Sequence, residues 1–178
     1  MKPACIDDIL EAFELRGGQI YGEDVTQRQH ALQAANLAAE DGAAESLIAA
    51  ALLHDFGHLL EPEGERPTRD SGHEAVGAAL LNRLFKPEVT GPIALHVAAK
   101  RYLCAIEPGY LADLSAASCH SLALQGGPFS KTEAARFVTR PHSAAAIRLR
   151  RYDDLAKVVG APTPDLASYV AMLSRLSR

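Results

Sequence analysis

The sequence predicts an all-α fold, a bundle of helices around an aliphatic core. Of the 178 residues, 48% are hydrophobic but only 6% are aromatic and none is tryptophan, which suits Ala, Leu and Val packed between helices. Apolar residues recur at helical spacing, and no segment alternates convincingly as a strand does. The length predicts one domain, 1–178, large enough to shield a buried site from water.

Three helices are predicted in the first part of the chain, over 6–15, 26–40 and 44–60. Gly17 and Gly18 stop the first, and Thr26 with Gln29 has the spacing of a capping box that begins the second. The third is apolar on every side, so we expect it to be the central buried helix. The polar, proline-bearing segment 61–70 that follows is expected to be a loop that could act as a lid.

Six further helices are predicted, over 71–85, 113–124 and 143–159 and beginning near residues 92, 130 and 165. Capping-box spacing at Ser71 with Glu74 and at Ser130 with Glu133 marks the start of two of them. Pro92 suits the first turn of another, because the first turn of a helix tolerates a missing N–H.

Charge and cysteine content limit the classes of protein to which this chain can belong. The formal net charge of -4 gives no general attraction to nucleic acid or an anionic membrane, so an anionic partner must be recognised locally. Three widely spaced cysteines (Cys5, Cys104 and Cys119) indicate reduced thiols rather than a disulfide framework. No apolar stretch is long enough to span a bilayer, and the N-terminus lacks the order of a signal peptide. We therefore expect a cytoplasmic monomer or homodimer.

Four histidines and two aspartates stand out within the helical segments: His30, His54, Asp55, His73, His96 and Asp153. Imidazole and carboxylate groups without cysteine suit borderline-hard metal ions, and one carboxylate can bridge two ions. A lone histidine in an Ala-rich helix is more often a core or surface residue. Four of them, beside an aspartate that is costly to bury uncompensated, favour metal. The predicted layout has His30, His54, Asp55 and Asp153 on one ion, with Asp55 also reaching a second ion held by His73 and His96.

In order and rough spacing this set, H…HD…H…H…D, resembles the HD-domain superfamily, whose helical-bundle members are mostly phosphohydrolases. The dipeptide alone is a weak signal, but the ordered set of six is strong. A narrower resemblance lies in YGEDVTQRQHALQAA, AALLHDFGH, HVAAKRYL, SLALQGGPFS and LRRYDDLAK. These stretches are similar to the mixed-valent diiron oxygenase branch, specifically the oxygenases that cleave the carbon–phosphorus bond of small hydroxyphosphonates with O2. The resemblance implies two iron ions, Fe(II)/Fe(III), held by the six residues.

The same resemblance implies that the phosphonate is held by His58, Lys100, Ser118, Ser121, Gln125 and Arg150. Spacing agrees for three of these, because His58 and Lys100 each lie one helical turn beyond a proposed ligand and Arg150 lies three residues before another. It also implies catalytic roles for His58, Glu23 and Tyr21, with Glu23 either contacting the substrate amine or helping a tyrosine to cover the open iron position. In one member of that branch the tyrosine lies three residues before the glutamate, where this chain has Ile20, and Tyr21 is one position later.

Two other functions are compatible with the pattern. The same ligands could hold Mn, Mg or Ni and activate water against a phosphate monoester or nucleotide, which makes a metal-dependent phosphohydrolase the alternative. A metal-free signalling domain of HD type would be expected to have lost ligands, and none is missing here. Dependence on O2 separates the oxygenase from the hydrolase.

Overall fold

The computed structural model describes residues 3–20, 24–60 and 69–178. Across these residues it consists of helices and two isolated bridges, without a strand, which confirms the predicted all-α fold. In chain order the helices are α1 (Ile6–Arg16), α2 (Gln27–Glu40), α3 (Glu45–Leu53), α4 (His73–Leu81), α5 (Pro87–Ile106), α6 (Tyr110–Asp113), α7 (Ala116–Leu124), α8 (Lys131–Val138), α9 (Ser143–Leu155) and α10 (Val170–Leu176). Two short 3-10 helices lie at His58–Leu60 and Leu166–Tyr169.

Helix α3 is the centre of the bundle, as its apolar sequence predicts. Its residues from Ala49 to Leu53 are all buried, and it packs against α2, α5, α9 and α10. Three consecutive alanines let the neighbouring helices approach closely at ordinary packing density. The most extensive packing is between α5 and α9, so the helices that carry His96 and Asp153 are fixed against each other.

Two of the predicted capping boxes are confirmed. Thr26 N donates to Gln29 Oε1 at 2.9 Å while Gln29 N donates to Thr26 Oγ1 at 3.2 Å, and Ser130 with Glu133 repeats the arrangement before α8. The box at Ser71 is wrong. The residue before α4 is Gly72, whose φ of 63° is left-handed, so glycine reverses the chain there and Ser71 lies outside the helix.

The prediction of one helix over 44–60 is also wrong. Helix α3 ends at Leu53, and the chain tightens to hydrogen bonds between residues three apart, such as Phe56 N to Leu53 O at 3.0 Å and His58 N to Asp55 O at 2.9 Å. Side chains three residues apart are aligned in this geometry. His58 therefore follows Asp55 and does not share a helical face with His54.

Other helix bounds differ from the predictions as well. Helix α5 begins at Pro87, so Pro92 lies inside it, just beyond the first turn, where the missing N–H removes one helical hydrogen bond. Helix α4 ends at Leu81, four residues before the predicted end. The predicted helix 113–124 is divided by Ser115, whose Oγ accepts from Ser118 N at 3.2 Å and begins α7.

The C-terminal part of the chain shows the same shortening. Helix α9 ends at Leu155 instead of 159. Hydrogen bonds between the side chains of His30 and Gln33 and the backbone that follows hold that backbone against α2. Asp165 begins the terminal helical segment as predicted, but as the cap of a 3-10 helix that leads into α10. Among the described helices, none has the length and apolar character that a bilayer crossing needs.

Candidate metal centre

The structure brings all six sequence-predicted ligands together at the middle of the bundle. They come from α2 (His30), the turn after α3 (His54 and Asp55), the start of α4 (His73), the middle of α5 (His96) and the last turns of α9 (Asp153). Five of the six residues are buried, and the Asp55 side chain is 18% exposed. Two groups of potential ligand atoms meet there, one formed by His30, His54 and Asp55 and the other by Asp55, His58 and His73.

The first histidine pair is His30 and His54, whose Nε2 atoms lie 3.1 Å apart. Nδ1 of His30 donates to Ala156 O and Nδ1 of His54 to Ala51 O, each at 2.8 Å. With the protons on Nδ1, both Nε2 atoms present lone pairs to each other, which repel unless a cation lies beside them. A separation of roughly 3 Å is expected for neighbouring ligands on an ion with bonds of roughly 2.1 Å. Asp153 Oδ1 is 3.4 Å from His30 Nε2 and completes this group.

The second pair, His73 and His96, repeats this geometry. Their Nε2 atoms are 3.2 Å apart, and Nδ1 of His96 donates to Ile93 O at 2.8 Å. His73 differs because Nδ1 faces a carboxylate, with Glu74 Oε2 at 3.7 Å. At this distance the contact is electrostatic and not a hydrogen bond, and Glu74 Oε2 is buried without a hydrogen-bond partner.

Asp55 lies between the two pairs. Oδ2 is 3.7 Å from His30 Nε2, while Oδ1 is 3.5 Å from His54 Nε2, 3.4 Å from His73 Nε2 and 3.6 Å from His96 Nε2. Burial acts to raise the pKa of the Asp55 carboxyl, but the neighbouring histidines, His54 most strongly and then His73, outweigh it and hold the pKa well below its usual range. The group is therefore an anion that lies within reach of both histidine pairs, as a bridging carboxylate requires.

The remaining ligands are electrostatically suited to a cation. Burial lowers the pKa of His54 and, more strongly, of His96, so both imidazoles are neutral and can donate a lone pair. For Asp153, burial favours the neutral acid, but the Arg150 cation and His30 hold the pKa well below its usual range. For His30, burial acts to lower the pKa, and Asp153 overcomes this and raises it, so a proton and a metal ion compete for the same nitrogen.

His58 lies beside the second pair. Its ring stacks on that of His73 with centroids 3.8 Å apart and planes 22° apart. The 3-10 turn therefore places His58 near Asp55 and His73, and the structure supports its proximity to the centre even though the predicted helical face is wrong.

A cluster of cations and serines adjoins the metal centre on the side of Asp153. Lys100 Nζ donates to Ser121 Oγ at 2.7 Å, and Arg150 Nη2 donates to Ser118 Oγ at 3.3 Å. Lys100 and Arg150 are 2% and 3% exposed. Burial, followed by the charge of Arg150, lowers the pKa of Lys100 to about 8. We call this group, with Lys157, the cation cluster.

Lys157 is the member of the cation cluster that the sequence pattern does not indicate. Its Nζ donates to Ser118 Oγ at 2.9 Å and to Ser115 Oγ at 3.2 Å. Gln33 fixes the backbone beside it, accepting from Val158 N at 3.0 Å and donating to Val158 O at 2.8 Å. Lys157 lies four residues after Asp153, a spacing that would place the two on one helical face. Helix α9 has already ended at Leu155, so this spacing does not predict where Lys157 points.

The other predicted site residues fall into two groups. Gln125 follows α7, and its Oε1 is buried without a hydrogen-bond partner, although the residue as a whole is only half-buried. Tyr21 and Glu23 lie outside the described residues, as does most of the predicted lid at 61–70.

Comparisons with known proteins agree with this site. Residues 28–157 match the HD domain family, a span that runs from just before His30 to just after Asp153. The chain is 45% identical over 168 residues to hydroxymethylphosphonate dioxygenase of Gimesia maris, covering 92% of this chain and 84% of the relative. It is 42% identical to the glycine-betaine-forming [1-hydroxy-2-(trimethylamino)ethyl]phosphonate dioxygenase of Leisingera caerulea, covering 92% and 86%. The chain belongs to the HD-domain family, in the branch that contains these two phosphonate dioxygenases.

Proposed function

We propose that this chain is an oxygenase that holds two iron ions and uses O2 to cleave the carbon–phosphorus bond of a small 1-hydroxyphosphonate, releasing phosphate. The observation that carries the proposal is the pair of histidine sets around Asp55 beside a buried cation cluster, in a chain similar to two named phosphonate dioxygenases. A metal pair for O2 and a positive site for the phosphonate are what such a reaction needs from a protein.

The six ligands divide between the ions as the distances suggest. His30, His54 and Asp153 would hold the first ion, His73 and His96 would hold the second, and Asp55 would contribute to both. Imidazole and carboxylate ligands suit iron but also manganese or nickel, and the ligand groups found among the described residues contain no cysteine. The activity in the names of both relatives favours iron, because a redox-active metal is needed to use O2. When bound, the iron pair supplies the activation of O2.

The cation cluster is assigned to the phosphonate group. Lys100 and Arg150 supply buried positive charge, and Ser118 and Ser121 supply hydroxyls that can turn to donate to phosphonate oxygens. Arg150 Nη1 also donates to Asp153 Oδ2 at 2.6 Å, so the cluster touches the metal centre directly. A phosphonate held here has its carbon beside the ions. Gln125 Oε1 lacks a partner and can accept from a protonated oxygen of the substrate.

His58, Tyr21 and Glu23 are assigned to the reacting end of the substrate. The ring of His58 is fixed against His73, beside the second ion, where one of its nitrogens can hold the proton of the substrate hydroxyl. The assignments of Tyr21 and Glu23, as groups that cover the open iron position, rest on the family resemblance alone.

The atoms balance without a further reactant. One hydroxyphosphonate, R–CH(OH)–PO3H2, and one O2 contain the atoms of one carboxylic acid, R–COOH, and one phosphoric acid. The Leisingera relative is named as forming glycine betaine, which is such a carboxylate. We therefore expect this chain to convert a hydroxyphosphonate into a carboxylic acid and phosphate, whatever substituent R it accepts.

The test is phosphate release by the iron-loaded protein in the presence and absence of O2. Hydroxymethylphosphonate and 2-amino-1-hydroxyethylphosphonate are the substrates, and a phosphate monoester tests the hydrolase alternative. We expect phosphate and one equivalent of carboxylic acid from a hydroxyphosphonate only when O2 is supplied. EPR of the partly oxidised protein should show a coupled Fe(II)/Fe(III) signal that changes when the hydroxyphosphonate is added.

The matched control is Asp55→Asn, which keeps the side-chain shape but cannot bridge two ions with a full negative charge. It should release no phosphate from either substrate class. Release from the monoester in the wild type, undiminished without O2, would contradict the oxygenase and establish the hydrolase.

A further inference from the structure

A closed ring of three hydrogen-bonded side chains lies behind Asp153, and two of its members are outside the pattern of predicted site residues. Arg150 Nε donates to the Tyr110 hydroxyl at 3.2 Å, the Tyr110 hydroxyl donates to Asp154 Oδ2, and Asp154 Oδ1 accepts from Arg150 Nη2. Arg150 and Tyr110 are both buried. Each side chain is therefore held by the other two, in surroundings where breaking a hydrogen bond is costly.

The ring fixes the direction of the Arg150 guanidinium. Its five N–H groups form a rigid planar fork. Four bonds are made by this fork, to Tyr110, Asp154, Ser118 and Asp153. Rotation of the guanidinium would break several of these bonds at once, so the Nη1 atom that reaches Asp153 has a defined position.

The position of Arg150 in turn fixes the Asp153 carboxylate. Oδ2 accepts from Nη1 of Arg150 at 2.6 Å, which leaves Oδ1 facing His30 Nε2 at 3.4 Å. If the guanidinium moved, the Asp153 carboxylate could rotate, and Oδ1 would no longer face His30 Nε2. Groups that orient a metal ligand from behind affect metal affinity even though they never touch the ion.

We propose that Tyr110 and Asp154 are positioning residues for the metal centre, which act by fixing Arg150 and, through it, the oxygen that Asp153 presents beside His30. The inference rests on the proposed function in one respect, that Asp153 is a ligand of the first ion. The short helix α6 contributes to the site in this proposal, because it brings the Tyr110 hydroxyl to Arg150 and Asp154 on α9.

The variant that tests the proposal is Tyr110→Phe, which removes the hydroxyl and keeps the ring. Its matched control is Tyr152→Phe. Tyr152 precedes Asp153 on α9 and is also buried, but its hydroxyl donates to Asp41, which is exposed. Both substitutions delete one hydrogen bond from tyrosine to aspartate, and Tyr110→Phe also removes the acceptor of Arg150 Nε, which is the bond that the proposal tests.

Iron affinity is measured by competition with a chelator, together with KM and kcat for hydroxymethylphosphonate at saturating iron. We expect Tyr110→Phe to bind iron roughly 10-fold more weakly than wild type and to lower kcat more than it raises KM. Tyr152→Phe should match wild type in all three. Equal iron affinity and equal kinetic constants in the two variants would overturn the positioning role.

Asp154→Asn provides a second route to the same result if Tyr110→Phe fails to fold. It keeps the size of the side chain but loses the charge that closes the ring, so iron affinity should again fall. Unchanged affinity in this variant also overturns the proposal. If the proposed function itself were wrong, wild type and Tyr152→Phe would hold no iron pair at all. That outcome differs from a failure of the positioning role alone, in which both would still bind iron.

Discussion

Gly57 lies against the backbone of His73, at the point where the turn after α3 meets the start of α4. A Cβ atom at Gly57 would fall 2.1 Å from His73 O and 2.8 Å from His73 C, distances that no packed structure tolerates. The absence of a side chain at this position therefore allows the turn that carries Asp55 and the helix that carries His73 to approach each other.

Gly57→Ala should accordingly destabilise the fold and disturb the second ion. Overpacking costs about 1–3 kcal/mol, and relief requires α4 to move away and take His73 with it. Urea unfolding of the metal-free protein measures the first effect and metal content per chain the second. Gly18→Ala is the control, since nothing lies within 4 Å of a Cβ built there. If both variants unfold at the same urea concentration and hold two ions, the close approach has no such consequence.

Asp55→Asn should abolish binding of the metal pair. The carboxylate lies within reach of the Nε2 atoms of both histidine pairs, and the neutral amide cannot neutralise two cations. Metal content after loading and gel filtration is the measurement, with substitution of the exposed Asp113 of α6, Asp113→Asn, as the control. A variant that retained two ions per chain would show that Asp55 is not the bridge.

Lys100→Met should raise KM for the hydroxyphosphonate with a smaller change in kcat. Methionine keeps most of the buried stem and removes the ammonium that now bonds Ser121. A hydrogen bond to a charged group contributes about 1.5–3 kcal/mol, which corresponds to a KM roughly 10- to 100-fold higher. Lys131→Met on exposed α8 is the control. Unaltered KM in Lys100→Met would remove Lys100 from the phosphonate site.

The same lysine predicts a pH dependence. Its pKa is lowered to about 8, so the ammonium is present below that pH and is lost as the pH rises through it. If only the protonated form binds the phosphonate dianion, KM should rise about 10-fold between about pH 7 and about pH 9. Steady-state kinetics at constant ionic strength measures this, and Lys100→Met should show no such rise. A wild-type KM that is flat across this range contradicts the role of the ammonium.

The meeting of the six candidate ligands could be predicted from the sequence, because their residue types and order do not depend on exact helix bounds. His30 and His96 occupy helices whose interior positions are otherwise apolar, and their residue type and order were enough. Helix α2 was placed within a residue because Thr26 and Gln29 form a local capping box.

What sequence could not provide is geometry set by contacts between distant segments. The apolar run before His54 gives no local signal for the 3-10 turn, which depends on Gly57 meeting His73. Pro87 and Pro92 both suit the start of a helix, and only the packed bundle selects Pro87. Tyr110 and Lys157 reach the site from positions whose spacing to the ligands carries no periodicity.

The central claim is that six side chains from five segments of the bundle surround a pair of cations that share Asp55. It is tested most directly by an anomalous difference map from crystals of the iron-loaded protein, recorded at the iron absorption edge. The account predicts two peaks, one beside His30, His54 and Asp153 and the other beside His73 and His96, both within bonding distance of Asp55. A single peak, or iron bound away from these residues, would contradict it.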